Sequence, residues 1–145
     1  MPTTITTPPT WFRIVAALLA LWGLMGVGAC VQQFRLGAEA MGPASAYDRA
    51  LYASLPVWYN GIYAVAVGAG LLGSLALIAR RRIAVVLYLV SLVAVVVQFG
   101  WLFAATDIVA VRGAGTVVPF PLFIAGVAAF QLWLARRAAA RGWIA

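Results

Sequence analysis

Apolar residues run along this chain in four long blocks, and the polar positions between them are few and sharply placed. Ile14–Val31 is uncharged throughout. At 1.5 Å per residue its length is about 27 Å, close to one hydrocarbon thickness. The next two blocks would form one run from Leu55 to Ala105 were they not split by Arg80-Arg81-Arg82. An arginine at the bilayer centre costs about 2.5–3.5 kcal/mol, so three adjacent ones mark a turn in water. The fourth block ends at Arg136-Arg137. This pattern predicts an all-α polytopic membrane protein, a single transmembrane domain over residues 1–145. Its four antiparallel transmembrane helices form two hairpins, at about 12–34, 56–79, 83–105 and 117–135.

The stretches between the blocks are predicted as follows. Residues 1–10, rich in threonine and proline, read as an extended tail. Gly37, Gly42 and Pro43 break the chain after the first span. Ala46–Ser54 then carries Tyr47, Leu51 and Leu55 at i, i+4 and i+8, a short amphipathic helix lying along the surface in the first outer loop. Asp48, Arg49 and Tyr52 are left on its other faces as candidate outer-loop partner contacts. Asp107–Thr116 is the second outer loop, and Pro119 and Pro121 sit at the start of the fourth span, where proline is tolerated. Trp11, Trp58, Tyr59, Trp101 and Trp143 fall where an amphipathic ring anchors at the headgroup level.

Composition supports the same class. Of 145 residues, 66% are hydrophobic and 9% charged, too much apolar surface for a water-soluble domain of this length to bury. The net charge of +7 raises the question of nucleic acid, but the basic residues sit at helix ends and form no stripe, so no nucleic-acid partner is expected. All ten basic residues are arginine, which with abundant alanine suggests a high-GC bacterial gene. Their distribution predicts orientation. Arg13, Arg80–Arg82, Arg136, Arg137 and Arg141 share one side of four spans, against Arg35, Arg49 and Arg112 on the other. By the positive-inside rule both termini are cytoplasmic in a multi-pass protein of the bacterial inner membrane. Arg80, Arg81, Arg82, Arg136, Arg137 and Arg141 are thus assigned to topology and to lipid headgroups.

Candidate chemistry changes this picture little. There is no histidine and no lysine, hence no imidazole base, no histidine-ligated haem and no Schiff base. None of the three acids, Glu39, Asp48 and Asp107, lies within a span, which argues against an ion-coupled carrier. The single cysteine, Cys30, allows no internal disulfide. Val27-Gly28-Ala29-Cys30 passes as a loose lipobox, but a small residue packed within the first helix is the preferred reading. No catalytic, cofactor or metal residues are assigned; a bound lipid or hydrophobic pigment is compatible with the composition. What remains is packing. Ala66, Gly70 and Ser74 form a small-xxx-small ridge, Ser91 and Gln98 share a face seven residues apart, and Gln131 is a further amide at depth. These six are the candidate helix-packing or partner contacts. Trp101, Phe99, Phe103, Phe120 and Phe123 are candidates to line a groove near the outer leaflet.

Several segments resemble a small bacterial family of four-span membrane proteins loosely labelled "sugar transporter". They are Leu21-Trp22, Leu51-Tyr52 with Pro56-Val57-Trp58, Gly73-Ser74-Leu75, Ser91-Leu92, Gln98, and Arg136-Arg137 with Arg141-Gly142-Trp143. The resemblance spans Trp11 to Trp143 and departs at Gly23, where asparagine is expected after Leu-Trp. It implies the four-span topology and carries no ligand site. Function is therefore expected to be that of a non-enzymatic accessory or scaffolding subunit, partnered by other membrane subunits or by itself. The alternative is a small permease for sugars or amphiphilic solutes working as a homo-oligomer.

Overall fold

The computed structural model describes residues 6–145, so the start of the expected N-terminal tail, residues 1–5, lies outside the described residues. Among these residues the chain is helical with no strand. Four helices are long and apolar enough to cross a membrane: α1 (Thr10–Leu36), α3 (Val57–Ile78), α4 (Ile83–Ala105) and α7 (Pro119–Ala140). Three short ones lie between them, α2 (Ala46–Ser54), α5 (Ile108–Arg112) and α6 (Ala114–Val117). The surface helix and the third span match the sequence reading. The fourth begins two residues later and runs five further than expected, because Arg136 and Arg137 continue the helical face instead of ending it. The second outer loop is two short helical turns, not an irregular loop.

α1 has 27 residues, or about 40 Å, so it overshoots a 30 Å core and carries Gln32, Gln33 and Arg35 out of the hydrocarbon. Gly37, at φ 61°, ends it in a left-handed turn closed by its N–H on the Gln33 carbonyl, and the Tyr52 ring packs on that glycine. Ser45 starts α2 with a reciprocal capping box to Asp48.

The spans pack as neighbours in the order α1, α3, α4, α7, each antiparallel to the next. Burial follows a 3-4 alternation characteristic of left-handed antiparallel packing. On α1 the inward positions are Phe12, Ala16, Leu19, Gly23 and Cys30; on α3 they include Tyr59, Ala66, Gly70, Gly73 and Leu77. On α4 they include Ala84, Tyr88, Ser91, Val95 and Gln98. At the arginine end all four spans converge on one core: Phe12, Ala16, Leu77, Tyr88, Leu134 and Ile144 are among its members. Towards the other end the core narrows to α3, α4 and α7, around Ala66, Ala94 and Val95. Between that core and the Trp22–Phe123 pair, α1 and α7 leave a lateral cleft of about 470 Å³ lined by Val15, Leu18, Leu19, Phe123, Gly126, Val127 and Phe130.

Candidate functional site

The residues that the sequence marks at membrane depth meet along one seam between α3 and α4. Ser91 Oγ donates to the Ala66 carbonyl at 2.7 Å. One turn nearer the arginines, Ser74 Oγ lies 2.7 Å from the Tyr88 hydroxyl and 3.0 Å from the Gly70 carbonyl. At the other end of the seam the Gln98 amide faces the Tyr59 hydroxyl. Ser74, Tyr88, Ser91, Gln98 and Tyr59 are all buried. In lipid an unpaired polar group has no water to turn to, so the bonds of Ser74 to Tyr88 and of Ser91 to the Ala66 carbonyl tie the two helices together and fix their register.

The ridge works because it is small. A β-carbon built on Gly73 would stand 2.7 Å from the Tyr88 ring, and one on Gly70 would stand 3.3 Å from Ser91 Oγ. The Ala66-Gly70-Ser74 ridge thus faces α4 within the chain, with Gly73 beside it. Gln131 is buried on the inward face of α7, between Ala128 and Leu134. Tyr59, Tyr88 and Gly73 were not singled out by the sequence pattern as polar partners. Continuing the face of Ser91 and Gln98 back by three residues reaches Tyr88, which is the signal that finds it.

A second seam joins α1 to α3. Gln33 Nε2 donates to Asn60 Oδ1 at 2.7 Å, and Gly26 and Gly23 abut Val67 and Leu71. Gly23 permits the closest approach: an added β-carbon would lie 2.9 Å from Leu71 Cα, a backbone atom. Any side chain at position 23 would press on that backbone. Cys30 is buried within α1, as expected for a small packed residue, whereas Gly28 and Ala29 beside it are exposed.

Outside the bilayer, the candidate partner contacts are already engaged. Asp48 is paired with Arg112 of the second outer loop, and Arg49 Nε with Glu39 at 2.9 Å. The Tyr47 hydroxyl donates to Asp107 at 2.8 Å, under the Arg112 guanidinium 5.7 Å from its ring centre. Tyr52, a candidate outer-loop contact, turns inward within the chain. It is half-buried, donating to the Gln33 carbonyl at 3.3 Å and accepting from Asn60 Nδ2 at 3.0 Å, because the ring is drawn over Gly37 at the α1 turn. Hydrogen bonds from Ser45 N–H and its hydroxyl, then Arg112, hold the Asp48 carboxyl below its usual range. The Ala44 N–H, then Arg49, does the same for Glu39. Desolvation, then the bond to Asp107, pushes the Tyr47 hydroxyl up.

At the opposite end Arg80 holds both tails. Its Nε donates to the Trp143 carbonyl at 3.0 Å and its Nη2 to the Thr6 carbonyl at 2.6 Å. The Arg80 carbonyl accepts from Ala145 N–H at 3.0 Å, and Ala145 O accepts from Arg82 N–H at 2.9 Å. Thr6 N–H in turn reaches the Gly142 carbonyl at 2.9 Å, and its hydroxyl reaches that of Arg141. Trp143 packs 5.2 Å from Phe12 and 5.6 Å from Trp11, ring centre to ring centre. Arg80 is therefore a clasp as well as a turn residue, at φ 60°, a conformation costing a non-glycine residue about 1–2 kcal/mol. The pattern of arginines alone carried no trace of this role.

The aromatics expected to line one outer groove divide instead. Trp101 packs with Trp58 and Tyr59, Phe99 stacks on Phe103, Phe123 pairs with Trp22 across the lateral cleft, and Phe120 is exposed. They sit on different faces of α4 and α7, so helix geometry keeps them apart. Among the described residues no group of three histidine, cysteine or acidic side chains is placed to hold a metal ion. No family model, no curated protein and no solved structure matches the chain.

Proposed function

We propose that this chain is a non-enzymatic accessory or scaffolding subunit of a larger inner-membrane complex, with both termini and the Arg80–Arg82 turn in the cytoplasm. One observation supports this reading: the hydroxyls of Ser74, Tyr88 and Ser91, buried at membrane depth, are bonded within the α3–α4 seam and so are not free for a substrate. The orientation is supported by the seven arginines at the end where both tails meet the turn, against three at the other. The docking face is the lateral cleft between α1 and α7. It is apolar and aromatic, with Gly126 open at its wall, so a partner's transmembrane helix can lay a ridge into it.

Purification from the native membrane in mild detergent should then recover stoichiometric partner proteins. Gly126→Trp should strip them, since a β-carbon added there meets nothing within 4 Å and the indole would fill the cleft; an unchanged melting temperature of the variant checks that the fold is kept. Recovery of the lone chain from its native membrane would sink the proposal. The same cleft favours a second reading, a homo-oligomeric permease. Its lining of aliphatic and phenyl groups suits an amphiphilic solute better than a sugar, which needs hydrogen-bonding partners. Flux of an amphiphile into proteoliposomes, abolished by Gly126→Trp, would favour that reading over the first.

A further inference from the structure

The arginines at the clasped end are not equivalent. Arg80 is consumed by the tails, whereas Arg82, Arg136 and Arg137 border the groove between the start of α4 and the end of α7. Two clefts meet at Arg136. One, about 350 Å³, lies between Arg82, Val85, Arg136 and Ala139. The other, about 550 Å³, runs from Arg136 and Arg137 past Trp133 to Leu132, Ala129 and Leu92.

Each part of this groove suits one part of a lipid. From Ala129 to Arg136 is seven helical residues, so the second cleft extends about 10 Å from the guanidiniums into the span, over aliphatic side chains. Arg137 stacks on Trp133, 5.6 Å from the ring centre, which sets the indole at the polar–apolar boundary. Arg82 reaches across to the Ala139 carbonyl at 3.3 Å and bridges the two helices at the mouth of the groove. All three acidic side chains, Glu39, Asp48 and Asp107, belong to the opposite end and are bonded there, so no carboxylate side chain competes for these guanidiniums.

We propose that this groove is a binding site for an anionic phospholipid, with its phosphate between Arg82, Arg136 and Arg137 and an acyl chain along Leu132, Ala129 and Leu92. Guanidiniums bind phosphate through paired N–H donors, and the apolar floor is what distinguishes a lipid from free phosphate. The continuation of the fourth helix through Ala140 places Arg136 in both clefts and Arg137 in the second.

Native mass spectrometry of the detergent-purified chain, titrated with phosphatidylglycerol or phosphatidylcholine of identical acyl chains, tests this directly. Phosphatidylglycerol should be retained preferentially. Arg136→Gln and Arg137→Gln should each weaken that retention about fivefold, on the scale of about 1 kcal/mol per guanidinium near an anionic headgroup. Arg81→Gln, the same charge change at an exposed position outside both clefts, should leave it unaltered. Leu132→Trp, which fills the floor without touching charge, should weaken retention of the lipid, and excess inorganic phosphate should not displace it. Equal retention of the two lipids would overturn the proposal. So would a loss with Arg81→Gln as large as with Arg136→Gln, or displacement by inorganic phosphate. Thermal stability and elution volume of each variant, read in the same preparation, separate loss of the site from loss of the fold.

Discussion

Replacing Gly23 by alanine tests the packing of the first span more sharply than any polar substitution. An alanine in mid-helix is intrinsically favoured over glycine by about 1 kcal/mol, so propensity alone makes Gly23→Ala stabilising. The structure reverses the sign. The new methyl would stand 2.9 Å from Leu71 Cα and 3.1 Å from its Cβ, where ordinary contact begins at 3.4 Å. Backbone cannot rotate aside as a side chain can, so α1 and α3 must separate by about 0.5 Å or more. A gap of 0.5–1 Å forfeits a quarter to a half of each dispersion contact along the seam. The same shift stretches the 2.7 Å bond from Gln33 to Asn60. Overpacking of this kind costs about 1–3 kcal/mol. Gly28 is the internal control, on the same helix but exposed, with nothing within 4 Å of an added methyl. Gly28→Ala should gain up to about 1 kcal/mol. The two variants should therefore differ by at least about 1 kcal/mol, roughly fivefold in the folding constant. Reversible unfolding in mixed micelles titrated with sodium dodecyl sulfate, followed by circular dichroism, measures the difference. Gly23→Ala equal to or more stable than Gly28→Ala would refute the close approach of α1 to α3.

Three further outcomes are expected. Tyr88→Phe and Ser74→Ala should each destabilise the bundle, and a double-mutant cycle should give a coupling of about 0.6–1.7 kcal/mol; zero coupling would mean the two hydroxyls do not meet. Asp48 and Glu39 are held below their ordinary values of 3.8 and 4.5, so the outer cap is fully bonded above those values and loosens as pH falls through the lower ones of the folded chain. Hydrogen exchange of amides 37–54 between pH 6 and pH 3 should show the loss, and Asp48→Asn should flatten it. Arg80→Ala removes the guanidinium and keeps the main-chain carbonyl, so it should release the Thr6 and Trp143 carbonyls and raise exchange at Thr6 while α3 and α4 stay protected; unchanged exchange at Thr6 would contradict the clasp.

The four spans were legible because hydropathy sets them, and a bilayer allows few other structures for such blocks. Their faces were harder to read for the same reason. In a soluble helix the apolar stripe marks the buried side, but here Ile14, Leu18, Leu21 and Leu24 are exposed while Ala16, Gly23 and Cys30 are buried beside Phe12 and Leu19, so hydrophobicity does not tell the inward stripe from the outward one. Size at 3-4 spacing was the usable signal, and the Ala66-Gly70-Ser74 ridge is the part of it that could be seen without a partner helix. Tyr88 was missed because size argues against it: a large ring is buried there only because Gly73 opposite gives it room. The same reciprocity explains Arg80. Arginines predict a water-facing turn from charge alone, yet which guanidinium faces lipid and which holds the tails depends on where Thr6 and Trp143 return. Charge placed the turn at one membrane face, and hydrogen-bond geometry then divided its neighbours between a clasp and a groove.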